Sequence, residues 1–349
     1  MRDGLVSVAI VTFNSARYIR KCLEFVFSQD HRPLEIVVID NASSDATPDI
    51  LRNFEGRIRT VYNLENKGFA GGQNQAIGHC QGEWILVLNP DVRLQPDFVS
   101  TLVAAGKETA SVGTLCGKLL SMSDDFQVPE KPLIDSTGMF FTPNLRHFDR
   151  GSREPDEGQF NSSEYVFGAT GAAALYRREM IEDVSIRGEL FDSEFFAYRE
   201  DADLAWRAQL LGWQCLYVPE AVAYHVRHVL PTNRQSVSPV INMHSVKNRF
   251  LMRINNLSGR QYLRHFLAIT GRDLVVIGGC LIRERSSLRA FPNVLKNLRR
   301  ALAMRRAIRA RRRVTEKYMS RWFSSRPVSF PALGEIPARP SKERTRRSY

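Results

Sequence analysis

Carboxylates recur in short strings whose spacing suits chemistry on a charged ligand: Asp40 in Asp40-Asn41-Ala42-Ser43-Ser44-Asp45, Asp91 in Asn89-Pro90-Asp91, and three acids in Glu200-Asp201-Ala202-Asp203. Asp40 and Asn41 can accept from and donate to a base edge or a ribose. Asp91 can hold a divalent cation, and Mg²⁺ is typically held by one or two carboxylates, with substrate phosphates and water completing its shell. Glu200 and Asp201 form a candidate general-base pair. Acids also gather at helix N-termini because they complement the macrodipole, so the cluster has a plain reading too. Asp203 lies two residues further on, roughly 200° around a helix from Asp201, and faces elsewhere. Together these types describe a nucleoside diphosphate site.

The elements that must position them can be read from the apolar runs. Residues 5–11, 34–39 and 84–88 are short and rich in Val, Ile and Leu on consecutive positions, as expected of strands buried on both faces of a parallel sheet. Helical patterns over 16–28, 46–54 and 69–79 alternate with them, which predicts a right-handed, mostly parallel, doubly wound α/β sheet. In such sheets ligands sit beyond the carboxyl ends of the strands. Thr12 and Asn14 in Thr12-Phe13-Asn14-Ser15, with Asp40, Asn89 and Asp91, all fall there. The glycine-rich stretch 66–74, with Lys67, Gly68 and Asn74, permits close backbone approach and opens a helix whose N-terminus favours anions. It matches neither the Walker A pattern nor the G-x-G-x-x-G fingerprint.

Several of these strings in one order make the chain resemble a known family. TFNS at 12–15, VVIDNASSD at 37–45, NKGFAGGQN at 66–74, LNPDV at 88–92, FGATGAAALYRR at 167–178 and FFAYREDADLAWR at 195–207 resemble a family 2 glycosyltransferase of the GT-A fold, nearest its bacterial rhamnosyltransferase branch. The resemblance covers residues 5 to about 230. It implies an inverting transfer from a nucleotide-diphosphate sugar, with a central, mostly parallel sheet and a C-terminal helical extension. In that family the last Asp of a D-x-D motif binds Mg²⁺ or Mn²⁺, which maps onto Asp91. The first position is Asn89 here, leaving one carboxylate. His225 matches a position where related enzymes supply a histidine near the metal or diphosphate, although a lone histidine is as readily structural. The family's Glu-Asp motif assigns the base to Asp201 and leaves Glu200 an orienting or acceptor-binding role. Gly171 and Ala172 would let an acceptor approach closely, and Trp206 would stack on it; tight packing and the buried face of a helix account for the same residues.

Charge divides the chain. Residues 283–326 carry 15 Lys and Arg against 2 Asp and Glu, whereas residues 1–282 are slightly acidic. Three regions are therefore expected: a catalytic domain over 1–234, a basic amphipathic helical region over 235–326 and a disordered tail over 327–349. The second has helical periodicity over 236–256, 260–282 and 292–322, and its apolar run 274–282 is too short to cross a bilayer. Such a segment suggests attachment to an anionic membrane surface, with a helix packed on the catalytic domain as the alternative. Nucleic acid is not expected, because the aromatic interleaving of single-strand binders is missing. The acidic stretch 149–164 reads as a mobile loop near the site. Five scattered cysteines lack C-x-x-C spacing, and the first strand starts too early for a signal peptide, so a cytoplasmic enzyme on the inner face of a bacterial plasma membrane is expected.

The resemblance favours dTDP-rhamnose as donor and a lipid-linked glycan as acceptor for a cell-surface polysaccharide. A UDP-hexose donor and a non-catalytic membrane- or RNA-binding protein are the other readings, and homodimerisation is left open. Processive relatives carry Q-x-x-R-W, whereas this chain has Gln209-Leu210-Leu211-Gly212-Trp213, which favours single addition.

Overall fold

A computed structural model describes residues 2–226 and 238–333. The first 88 residues alternate as expected, with one further strand, β3, that the apolar runs did not show: β1 (Arg2–Thr12), α1 (Ile19–Phe27), β2 (Leu34–Asp40), α2 (Thr47–Arg52), β3 (Arg59–Tyr62), α3 (Gly68–His79) and β4 (Gly82–Leu88). β1, β2, β3 and β4 are mutually parallel in the spatial order 3-2-1-4. The chain reverses side between β1 and β4, so a crevice opens beyond their carboxyl ends. Register places Thr12 beside Asp40 and Ile10 beside Leu88. The three motif loops therefore leave the sheet side by side.

After β5 (Val92–Leu94), α4 (Phe98–Glu108) and β6 (Val112–Ser121), the short strands β7 (Ile134–Ser136), β8 (Met139–Phe141), β9 (His147–Asp149) and β10 (Glu164–Val166) decorate the sheet. β11 (Ala173–Arg177) then inserts antiparallel between β4 and β6. α5 (Arg178–Val184) and α6 (Glu200–Leu210) lead to β12 (Gln214–His225), which runs parallel to β6 and carries His225 back beside β5. Two apolar layers sandwich the sheet: Ile19, Leu23, Phe98 and Leu102 on one face, Phe167, Phe191, Trp206 and Trp213 on the other.

Six α-helices follow among the described residues: α7 (Pro239–Asn256), α8 (Gly259–Arg264), α9 (Phe266–Ile282), α10 (Ala290–Lys296), α11 (Leu298–Arg311) and α12 (Glu316–Ser320). The expected boundary at 234 lies outside the described residues. The helix read as one piece over 292–322 is three, and its buried stripe is Ala301, Met304 and Ile308, while Leu295 and Leu302 are exposed. Its arginines divide: Arg300 pairs with Glu189 and Asp192, Arg313 with Asp183, and Arg305 donates to the Ile254 carbonyl, while Arg299, Arg306 and Arg309 are exposed. α11 is thus packed on the catalytic region.

Residues 328–333, expected to be disordered, are packed on the fold, with Val328, Phe330 and Leu333 against the core. Trp322 and Phe323 are buried against Phe167 and Trp206, and Phe330 exchanges backbone hydrogen bonds with Tyr165 at the sheet edge. Residues 334–349 lie outside the described residues. The acidic stretch 149–164 is likewise pinned, by Lys118 to Asp156, Arg150 to Glu164 and the Tyr217 hydroxyl donating to the Phe160 carbonyl.

Candidate active site

Two adjoining hollows form one cleft over the carboxyl ends of β1 and β4. The smaller, about 390 Å³, is lined by Phe13, Asn14, Asn41 and Gly68, and the larger, about 570 Å³, by Gly171, Arg199, Glu200, Asp201 and His225. Phe69, Asn89 and Asp91 border both. The cleft therefore has room for a nucleotide and a sugar with Asp91 at their junction.

Asp91 and His225 meet because β5 and β12 pair, bringing His225 opposite Val92. His225 Nε2 lies 3.5 Å from Asp91 Oδ1, and Nδ1 lies 2.9 Å from Asp135 Oδ2. Burial alone would push this imidazole down, but Asp135 and Asp91 outweigh it and hold it at about 10. A divalent cation beside Asp91 would take the place of the proton on His225 Nε2, since a ligating imidazole is neutral, and on that exchange the donor set fits such a cation. A buried carboxylate behind a ligating histidine fixes its tautomer and ring orientation, and one carboxylate plus one imidazole leave the remaining positions to diphosphate and water, as Mg²⁺ prefers. No cluster of three or more His, Cys, Asp or Glu is arranged for a metal among the described residues. The protein's share of such a site would be Asp91 and His225.

Glu200 and Asp201 open α6 at the opposite wall. The loop before them is held in an unusual backbone: Phe196, Tyr198 and Arg199 all have positive φ. Non-glycine residues in that region are costly and gather at functional sites. Gly68 supports the loop from the other side, since its own φ is +72° and a Cβ there would lie 2.4 Å from the Phe196 carbonyl oxygen. Asp201 accepts from Gly171 N at 3.1 Å and Ala202 N at 2.7 Å. Burial raises its carboxyl to about 6, with the Gly171 N–H opposing. Glu200 Oε2 meets no donor among the described residues, and burial together with the Asp201 charge pushes Glu200 well above the carboxylate range. Paired carboxyls whose surroundings separate their acidities are how acid and base roles are divided.

The profile of glycosyl transferase family 2 matches residues 7–185, about half of the chain and every motif loop except that at 200–203. The chain belongs to this family. It is 27% identical over 314 residues to N-acetylglucosaminyl-diphospho-decaprenol L-rhamnosyltransferase of Mycobacterium tuberculosis, an alignment spanning 82% of this chain and 96% of that one. It is 26% identical over 209 residues to EpsH of Bacillus subtilis, spanning 57% of this chain and 56% of EpsH. Among solved structures, Staphylococcus aureus TarS in complex with UDP-GlcNAc aligns over 93% of this chain and 98% of its own, with 18% identity and a TM-score of 0.54. Mannosyltransferase PcManGT of Pyrobaculum calidifontis, in complex with GDP-Man and Mn²⁺, covers 88% and 85% with 18% identity and a TM-score of 0.50. At this identity the structures show the fold alone, and that fold is GT-A.

Within this family 2 glycosyltransferase, several residues expected at the ligand hold the loops instead. Asp40 is buried and its oxygens accept from the Thr12 hydroxyl and from Ser43 Oγ and N. Neither Thr12 nor Asp40 lines the cleft. Asn41 reaches the cleft edge, yet its amide donates to the Gly68 carbonyl and accepts from Asn63. Asn14 accepts from Ser44 N at 2.8 Å, stapling two loops. Asn74 clamps Leu190 and Phe191 through three backbone hydrogen bonds and is not at the nucleotide hollow. Lys67 is exposed and caps α3 by position alone. Trp206 is fully buried among Phe141, Phe167 and Phe323, which rules out stacking on an acceptor. Gly171 and Ala172 do line the larger hollow.

Asp203 faces away as expected, and pairs with Arg207 while accepting from Asn255 and Asn256 of α7. Sequence reasoning passed over Asp135, a lone acid with no motif around it, and Arg199, whose only signal is its place directly before Glu200. Arg199 donates to the Ser245 carbonyl and lies 3.1 Å from His147 Nδ1, in the wall of the larger hollow.

Proposed function

We propose that this glycosyltransferase moves one L-rhamnosyl residue, with inversion, from dTDP-rhamnose to a lipid-linked saccharide during cell-surface glycan synthesis on the cytoplasmic face of the bacterial plasma membrane. The observation that carries the donor and acceptor is the near full-length alignment with the mycobacterial rhamnosyltransferase, 96% of its length. The cleft geometry supports the reaction class. Asp201 takes the proton of the attacking acceptor hydroxyl, because it is the carboxyl of the pair that ionises first and both backbone donors fix its orientation. Glu200, kept protonated, donates a hydrogen bond to the acceptor or to Asp201. Asn14, Asn41 and Phe13, which line the smaller hollow, would meet the nucleoside, and Asn89 and Asp91, which border both hollows, would meet the diphosphate.

Asp91 and His225 would hold Mg²⁺ or Mn²⁺, which supplies charge neutralisation to the departing diphosphate. Asp135 keeps the His225 ring turned toward Asp91. Arg199 adds positive charge to the same cleft.

A second reading keeps the reaction and exchanges the donor for a UDP-hexose, since TarS with the same fold holds UDP-GlcNAc. Thermal stabilisation by dTDP-rhamnose, dTDP, UDP-glucose and UDP, each with and without Mg²⁺ or Mn²⁺, separates the two. Metal-dependent stabilisation by the dTDP compounds that disappears in Asp91→Ala supports rhamnosyl transfer. Preference for the UDP compounds replaces the donor.

A further inference from the structure

Helix α9 is inside out. Its two charged residues point inward, where Asp273 pairs with Arg253 at 2.9 Å and Arg249 at 3.4 Å on α7. Its outer face is apolar. Leu267, Leu274 and Leu281 recur every seven residues, within about 20° of one line per repeat, and are 83%, 65% and 53% exposed. Val275 and Ile282 flank that line, exposed at 60% and 79%. Gly271 and Gly278 lie between them over open space. An amphipathic helix on a soluble domain normally presents the reverse arrangement, and a contiguous exposed apolar face marks an interaction surface.

The ends of the face are basic. Arg260 and Arg264 on α8 stand at one end, and Arg283, Arg285 and Arg289 at the other, all exposed. At the α8 end, Arg260, Arg264, Lys317 and Arg321 line an open cleft of about 440 Å³. Glu316, the acid in that cleft, is engaged by Arg312 and by Ser258. An apolar strip bounded at both ends by arginines complements an anionic bilayer, whose acyl chains meet the strip and whose headgroups meet the cations. A second copy of the chain packed on this strip would set arginine against arginine.

We propose that α9 lies in the membrane interface, with its Leu267-Leu274-Leu281 face in the acyl boundary and the surrounding arginines on anionic headgroups. The helix is about 25 Å long at 1.5 Å per residue, and among the described residues no helix is long and apolar enough to cross a membrane. The contact therefore lies along the surface. This assigns the membrane contact to α9 and its rim, whereas the arginine-rich α11 is engaged with the catalytic region. The other end of α7 lines the active-site cleft through Ile241 and Ser245, so the docked helix and the cleft share one rigid support.

The test is flotation of the full chain with vesicles of POPG and POPC, compared with POPC alone, for the wild type, L267E/L274E and R264Q/R285Q. These side chains are exposed, and an unchanged thermal transition verifies the fold. The wild type is expected to float with POPG/POPC vesicles and much less with POPC. L267E/L274E should bind at least tenfold more weakly, and R264Q/R285Q should bind more weakly with a shallower salt dependence. Wild-type flotation by L267E/L274E would overturn the assignment. So would a wild type that fails to float and is instead a dimer by light scattering, dissociated by L267E/L274E. The vesicles contain neither donor nor glycan acceptor, so the outcome is independent of the proposed rhamnosyl transfer.

Discussion

Asp201 and Glu200 differ in what their surroundings allow, and their roles follow from that difference. Asp201 has two backbone N–H donors and a carboxyl held up to about 6 by burial, whereas Glu200 has an oxygen with no donor and sits well higher. A base must be ionised to act, so the rate of transfer should rise with pH through about 6 and level off above it. Asp201→Asn is expected to remove that limb and lower kcat by about 10²–10⁴-fold, with donor binding by calorimetry near normal. Asp135 acts one step back from the cleft. Asp135→Asn should raise the Mg²⁺ or Mn²⁺ concentration needed for half-maximal rate by about 10–100-fold, while kcat at saturating metal changes less. Asn89, Asp91 and Asp201 stand in motifs the sequence displays, and all three line the cleft. The sequence misled where motif residues are spent on each other. Asp40 at the end of β2 and Asn74 in the middle of α3 have the right types, but Asp40 accepts from the nearby Ser43 and Asn74 bonds to the distant Leu190 and Phe191, a pairing set by tertiary placement.

Among the elements, α6 is the one that must not shift, because it opens with the proposed base. Asp203 ties it down: the adjacent Asn255 and Asn256 at the end of α7 and Arg207 converge on a fully buried carboxylate. Removing one partner of a buried ion pair leaves an uncompensated charge, so Asp203→Ala should cost about 3–5 kcal/mol in urea unfolding. Gly68 holds the preceding loop from the opposite side. Gly68→Ala strains a positive φ and collides with the Phe196 carbonyl, and should lose about 1–3 kcal/mol with a larger loss of transfer. β1, β2, β4 and α1 to α3 could be read from the pattern of apolar residues, because strands buried on both faces leave a strong compositional trace, whereas the half-exposed edge strand β3 left none. β7 to β11 left little trace. They are three to five residues long and belong to a mixed region of the sheet, where neither periodicity nor length separates strand from loop.

For the whole molecule, charge composition pointed to a separate basic region, yet its arginines serve partly as internal counterions. Arg300 and Arg313 neutralise Glu189, Asp192 and Asp183 on the catalytic region, and Trp322 and Phe323 complete the aromatic cluster around Trp206. Net charge reports sign but not which way a side chain faces, and the same limit hid the outward apolar face of α9. Trp322→Ala should therefore cost about 3–5 kcal/mol in thermal or urea unfolding, as expected for a large aromatic in a packed core. Truncation after Ile282 would strip a layer from the core, so loss of membrane binding in that variant would report unfolding as readily as docking.

Transfer of labelled rhamnose from dTDP-rhamnose to a polyprenyl-diphosphate-linked saccharide, measured side by side for the wild type and Asp201→Asn at saturating donor and Mg²⁺, decides whether Asp201 is the base of a rhamnosyl transfer. With Asp201 as the base, the wild type forms product steadily and Asp201→Asn loses at least 100-fold with donor still bound. Equal turnover by the two proteins would remove Asp201 as the base, and no product from dTDP-rhamnose alongside product from a UDP-hexose would contradict the donor.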